Sequence, residues 1–216
     1  MLASLGAAVR GLFGAHEQAV AELYRSVFVD LDALVRQLAS LEAPARILEV
    51  GCGEGQMTQR LAQAFPHAEI VAVDISPRVG RLVPAPGPRV HFRCCTLAQL
   101  LGEGPAPFQL VTLCDVLHHV PPGEREALLS AVRELCAPGG RFVFKDWERR
   151  QTPIHWACAF SDRLITGDRV QYCSRGELRD LLGRAFAGCA IEELAPTPPW
   201  LHNRAWCVRL PREPNG

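Results

Sequence analysis

The chain has 216 residues, enough for one domain with a substantial buried core, and its 23 basic and 23 acidic residues cancel. A nucleic-acid partner is therefore not expected, because the basic excess or stripe that would attract one is missing. No apolar run reaches the roughly 18 residues of a membrane span, and the N-terminus lacks the basic region and cleavage pattern of a signal peptide, so a cytoplasmic protein is the expectation.

Residues 1–43 read as a helical segment, set apart from the remainder at 44–216. Leu23, Val27, Leu31, Leu34, Val35, Leu38 and Leu41 recur at three- and four-residue steps and make one apolar stripe, which Pro44 ends just before the first strand. Such a segment serves either as a lid over a ligand or as core packing. From residue 46 onward short apolar strands alternate with amphipathic helices. The strands are expected at 46–50, 69–73, 89–94, 108–114, 140–145, 188–194 and 204–210, and the helices at 56–65, 77–82, 96–101, 123–136 and 174–186. This alternation predicts an α/β fold, a doubly wound, mostly parallel seven-stranded sheet covered on both faces. Pro196, Pro198 and Pro199 exclude a helix between the last two strands, so the final strand is expected to run antiparallel.

Nine cysteines are scattered without a Cys-x-x-Cys pair, which argues against a zinc site or a disulfide framework. Free, mostly packed thiols in a reducing compartment explain them, the adjacent Cys94 and Cys95 included.

The functional signal lies at the end of the first strand. Arg46-Ile47-Leu48-Glu49-Val50 runs into Gly51, Gly53 and Gly55, where the backbone is able to turn sharply and approach a ligand closely. A second apolar strand ends in Asp74, about 20 residues further on, where a carboxylate accepts from ribose hydroxyls. The dinucleotide fingerprint Gly-x-Gly-x-x-Gly would require glycine at position 56, which is Gln56. That makes a nicotinamide oxidoreductase the weakest reading. The pattern Glu49-x-Gly51-x-Gly53-x-Gly55 instead resembles motif I of the class I S-adenosylmethionine-dependent methyltransferases. The resemblance spans about residues 45–210 and includes the seven-stranded sheet with its terminal hairpin. The segment Phe108 to Val120 resembles motif IV of bacterial small-molecule methyltransferases, and Leu135 to Phe142, with its Pro138-Gly139-Gly140 turn, matches the family's helix–turn–strand entry.

In an open parallel sheet ligands lie beyond the carboxyl ends of the strands, where strand order reverses. The candidates there are Gly51, Cys52, Gly53 and Glu54 after the first strand and Asp74, Ile75 and Ser76 after the second. Thr96 follows the third, Asp115 to His119 the fourth, and Lys145-Asp146-Trp147 closes the fifth. The resemblance implies S-adenosylmethionine as cofactor. Gly51 and Gly53 would lie against its amino-acid end, Glu49 would support the loop, Asp74 would bind the ribose and Ile75 would cover the adenine. Where many relatives place an aspartate for the adenine amino group this chain has Thr96, with backbone at Leu97 as a further contact. Asp74 has a plainer reading as a helix cap ahead of Pro77.

For catalysis the candidate bases are His118, Asp146 and His155, with His118 lining the transfer pocket and His119 packed beneath it, or with both histidines bonding only locally. No metal is expected, because the carboxylate set of a catechol-type metal site is not recognisable. Trp147, Glu148, Arg150, His155, Trp156, Phe160, Asp162, Arg163 and Tyr172 form either a substrate pocket or a helix packing Trp156, Phe160 and Leu164 into the core. The implied function is methyl transfer to a small or lipid-like molecule, free or carrier-bound. A protein methyltransferase and a non-catalytic S-adenosylmethionine-binding regulator are the alternatives.

Overall fold

Aliphatic side chains alternate along the strands and serve both faces of one sheet. The computed structural model describes residues 27–41, 43–165 and 170–212, without the side chains of 161–165. The strands are β1 (Arg46–Val50), β2 (Glu69–Asp74), β3 (Val90–Cys94), β4 (Phe108–Cys114), β5 (Cys136–Trp147), β6 (Ala190–Glu193) and β7 (Asn203–Arg209). The α-helices are α1 (Leu31–Ala39), α2 (Gln56–Ala64), α3 (Leu97–Gly102), α4 (Arg125–Leu135), α5 (Pro153–Ile165) and α6 (Arg175–Ala185). Strand order is β3-β2-β1-β4-β5-β7-β6. The first five strands pair in parallel, whereas β7 runs antiparallel to both β5 and β6. The expected doubly wound α/β sheet is thus the one observed, including the reversed final strand.

Ile47, Ile70, Leu110 and Val143 project to one face, where they meet Leu34, Leu38, Met57 and Leu61 of α1 and α2. Their neighbours Leu48, Val71, Val111, Phe142 and Phe144 project to the other, against Leu100 of α3, Leu129 and Val132 of α4 and Leu182 of α6. Full burial of one such side chain contributes about 1.5–3 kcal/mol. Strand order reverses between β1 and β4, so their C-terminal ends open the crevice that a ligand would use.

Four elements depart from expectation. The N-terminal stripe is one helix only from Leu31 to Ala39: Asp30 is extended and caps α1 by accepting from Ala33 N at 2.8 Å. Asp30 N in turn donates to Pro198 O at 2.7 Å, so a cap and a tertiary bond break the periodicity that apolar spacing alone suggested. Val27 is 48% exposed, outside the stripe, and Leu23 lies outside the described residues. No helix forms at 77–82, where successive turns are held instead by Gly80 N and Leu82 N donating to Gly53 O and Glu54 O, both at 3.0 Å. β5 starts at Cys136, earlier than expected, taking the Pro138-Gly139-Gly140 turn into an irregular strand entry with a register shift against β4. α5 is a helix, but Trp156 and Phe160 are 62% and 65% exposed, which rules out the alternative in which it packs them into the core. The helix docks instead through Cys158, Ile154 and Ala159 against Trp147 and Tyr172.

Candidate functional site

At the end of β1 the loop is shaped by backbone. Gly51 N and Cys52 N both donate to Val73 O of β2, at 2.8 and 3.1 Å. The Asp74 carboxylate then accepts from Gly53 N at 2.8 Å and from Ser76 N at 2.7 Å, tying the glycine loop to the β2 end. This is a clamp between two loops; the helix that Asp74 would cap ahead of Pro77 is absent. Gly51 and Gly53 both have positive φ, +74° and +53°, which side chains disfavour. Their surroundings differ. A Cβ at Gly51 would lie 2.2 Å from Val116 Cγ2, whereas one at Gly53 would meet nothing within 4 Å. Glu49, 4% exposed near the end of β1, is close enough for its charge to act on Cys52 of the loop. Burial, together with the charges of Glu49 and Asp74, pushes the Cys52 thiol far up, so its side chain is a neutral packing group. Ile75 is 77% exposed at the rim. The Thr96 hydroxyl accepts from Gln99 N at 3.2 Å in the capping box of α3, and Leu97 is buried beneath it.

The ends of β4 and β5 are shaped by side chains. Lys145, 1% exposed, donates to both carboxylate oxygens of Asp115, at 2.6 and 2.7 Å. Asp115 also carries a positive φ of +57°, a conformation that non-glycine residues hold only when their surroundings fix it. Its backbone N–H donates to Lys145 O at 2.9 Å, which supplies part of that fixing.

His118 Nδ1 lies 2.5 Å from Asp146 Oδ1, while Asp146 Oδ2 accepts from His118 N at 3.1 Å. Trp147 N donates to the same carboxylate at 2.7 Å. Burial pushes the Asp146 carboxyl up, but the His118 ring, the Trp147 N–H and the Lys145 charge together hold it below its ordinary value. The expected depths of the two histidines are reversed: His118 is 5% exposed and His119 is only half-buried beside it. Tyr172 stacks on His118 with centroids 4.7 Å apart and meets His155 edge-on at 4.9 Å. The structure therefore brings His118, Asp146 and Tyr172 into contact and links His155 to them through Tyr172.

Beyond β5, Arg149, Arg150, Gln151, His155 and Trp156 line a cavity of about 420 Å³. His155 is 7% exposed, and burial first, then His202 and Arg149, holds its imidazole below the ordinary 6.5. Trp147 does not reach the cavity; it is 2% exposed in the core under α5. Glu148 is held by Arg204 at 2.8 Å and Arg150 at 3.2 Å, which outweigh burial and keep its carboxyl below the usual range. Asp162 and Arg163 lie where side chains are not described.

A family model described as a methyltransferase domain matches residues 21–194. The chain belongs to that family. Among curated relatives, it is 38% identical to a ubiquinone biosynthesis O-methyltransferase of Xylella fastidiosa over 101 residues, 45% of this chain and 39% of that one. It is 30% identical to a trans-aconitate 2-methyltransferase of Methylobacterium radiotolerans over 158 residues, 68% of this chain and 59% of that one. The matched stretches thus span about two fifths to three fifths of these relatives' own length. A solved 1,6-didemethyltoxoflavin-N1-methyltransferase from Burkholderia thailandensis superposes with a TM-score of 0.64 at 21% identity, covering 96% of this chain and 89% of that one. At that identity the likeness establishes the methyltransferase-domain fold.

Within this methyltransferase domain, several residues that shape the cleft escaped sequence reasoning. Arg125 donates to Val120 O at 2.9 Å and to Gln171 O at 2.6 Å, and so holds the 170–173 segment against the motif that carries His118. Gln171 N completes the attachment by donating to His118 O at 2.8 Å. Arg204 and His202 join from the β7 end. Sequence signals for these are weak, because each acts across a long separation on a partner that local spacing does not mark. Among the described residues no cluster of His, Cys, Asp and Glu is placed to hold a metal ion. None of the nine cysteines is in a disulfide. No helix among the described residues is long and apolar enough to cross a membrane.

Proposed function

We propose that the chain is an S-adenosylmethionine-dependent methyltransferase that acts on a small or lipid-like molecule in the cytoplasm. The observation that carries this reading is the Gly53–Asp74 clamp. The protein fills the space beside Gly51 with Val116 and leaves the space beside Gly53 open, which suits a loop whose outer side receives a ligand. The residues present fit this cofactor. Asp74 accepts one N–H on each carboxylate oxygen, and each oxygen retains a lone pair for a ribose hydroxyl. The exposed Ile75 side chain offers an apolar cover for a flat base. Glu49 supports the loop. Relatives named for ubiquinone biosynthesis and for trans-aconitate support a small-molecule acceptor.

When bound, S-adenosylmethionine supplies a methyl group already activated on a sulfonium. The protein's part is then to hold an acceptor in line and keep water out, and orientation of this kind contributes about 7–11 kcal/mol. With the Asp146 carboxylate on Nδ1, the His118 ring is set in the tautomer that carries its acceptor lone pair on Nε2. His118 is the base that takes the proton of a hydroxyl or amine acceptor, a contribution of about 10²–10⁴-fold. Asp146 is a positioning residue, since its oxygens are occupied by His118 and Trp147. Tyr172 fixes the plane of the imidazole by stacking.

Calorimetric titration with S-adenosylhomocysteine tests the central claim. Affinity in the wild type and a loss of about 1–3 kcal/mol in Asp74→Ala are expected, the range for a hydrogen bond to a charged group. Absence of binding by the folded wild-type chain would overturn the reading.

A further inference from the structure

We propose that the cavity at the start of α5 anchors the methyl acceptor through a carboxylate: a planar organic acid docks its anionic group on the Arg150 guanidinium and lays its body against Trp156. This deepens, and rests on, the methyl-transfer reading above. The cavity volume of about 420 Å³ falls within the roughly 300–1,000 Å³ typical of small-molecule sites.

The two arginines at the cavity differ in what they have left to offer. Arg149 is committed, with one terminal nitrogen on both oxygens of Glu177, at 3.2 and 2.9 Å, and the other on Tyr172 O at 3.2 Å. Arg150 meets Glu148 with Nε nearest, at 3.2 Å, and its two terminal nitrogens make no hydrogen bond among the described residues. Glu148 is shared with Arg204, which also reaches Glu193 at 3.3 Å, so the Glu148 carboxylate is not committed to Arg150 alone. A guanidinium edge with both terminal N–H groups available matches a planar carboxylate in two parallel hydrogen bonds.

A second, independent observation points the same way. His155 is more than nine-tenths buried, yet its Nδ1 has no hydrogen-bond partner among the described residues. A buried polar atom left without a partner costs about 1–3 kcal/mol, and a ligand atom entering the cavity would satisfy it. The groups packed around this ring are Tyr172, His202 and Arg149, and the two of these that can be positively charged disfavour its protonation. A bound anion would oppose that part of the bias; burial imposes the rest. Trp156 completes the site: its ring is 62% exposed on the cavity wall, a flat apolar surface next to a charged group.

The test uses the full chain and cinnamate as the probe, with neutral cinnamamide as its isostere. The His155 ring signals are followed by NMR, assigned by their loss in His155→Gln, and each compound is titrated with and without S-adenosylhomocysteine. Cinnamate is expected to bind at least about ten-fold more tightly than the amide, a difference of about 1.4 kcal/mol, and to move the His155 titration upward. Arg150→Met is expected to bring the ratio close to one and Arg150→Lys to retain part of it. Arg150 is half-exposed, so neither change threatens the fold. Equal affinity for acid and amide, failure of both to bind, or discrimination that survives Arg150→Met would each overturn the proposal. S-adenosylhomocysteine affinity is expected to be the same in wild type and Arg150→Met. If the wild type does not bind it at all, the donor reading fails separately, while the acid-over-amide ratio still scores the anion site.

Discussion

At the β1–β2 end of the cleft the shaping contacts run through backbone: Gly51 N and Cys52 N reach Val73 O, Gly80 N reaches Gly53 O, and one side chain, Asp74, gathers two backbone N–H groups. At the β4–β5 end they run through side chains: Lys145 to Asp115, His118 to Asp146, Tyr172 over His118, and Arg204 and Arg150 on Glu148. A backbone-built region tolerates few changes, because it depends on positions where the backbone is left-handed or, as at Gly51, a Cβ has no room. A side-chain-built region is adjustable, because each contact is changed by one substitution. The first suits a ligand common to a whole family. The second suits one that varies between members.

The largest expected effect lies on the side-chain half. Asp115→Ala strands the buried Lys145 ammonium, which costs about 3–5 kcal/mol for a broken buried pair. Urea unfolding checks this, and a loss below about 1 kcal/mol would mean that the pair is better hydrated than its burial indicates. On the backbone half, Gly51→Ala and Gly53→Ala are expected to separate cleanly. The first drives a methyl group into Val116 and destabilises the fold by about 1–3 kcal/mol through overpacking, plus about 1–2 kcal/mol for left-handed backbone. The second carries only the backbone cost and keeps the fold, but it puts a methyl group into the open space proposed for the cofactor, so S-adenosylhomocysteine affinity is expected to fall. Equal melting temperatures for the two variants would contradict the assignment of which glycine faces the protein.

The smallest effect sharpens the contrast through pH. Burial holds His155 and His202 below 6.5 in the folded state, so the unfolded chain takes up protons first on acidification. Stability is therefore full above 6.5 and falls as pH drops from there toward the folded values. Between about pH 7.5 and about 5.5 the wild-type melting temperature is expected to decline, with a shallower slope in His155→Gln. Asp146 and Glu148, both held low, have the carboxylate pattern: their contribution is present above their ordinary values of 3.8 and 4.5 and is lost only in stronger acid. An unchanged slope in His155→Gln would show that its ring does not titrate in this window.

The shape of the β1–β2 end was legible in the sequence because its information is local. Three alternate glycines and one carboxylate at a strand end are visible in a window of residues, and the strands follow from apolar runs whose alternation matches two buried faces. Asp30 was missed because Leu and Val continue at helical spacing across it, and only the cap and the bond to Pro198 interrupt the helix. The turns at 76–82 were misread because bonds to Gly53 and Glu54, more than 25 residues earlier, override local preference. Trp156 and Phe160 share a helix face by spacing, but spacing does not say which face meets the core. Cys158 and Ile154 took that role.

The wall of the cavity at the start of α5 depends on residues from the far end of the chain. Glu148 N donates to His202 O at 2.7 Å, and Arg204 at the start of β7 holds the Glu148 carboxylate. During synthesis, the five parallel strands and the glycine bend are therefore complete well before the last strand slots in beside β5. A truncation ahead of residue 203 would remove the brace on Glu148 that aims Arg150 and, with it, Trp206 and Val208 from the core.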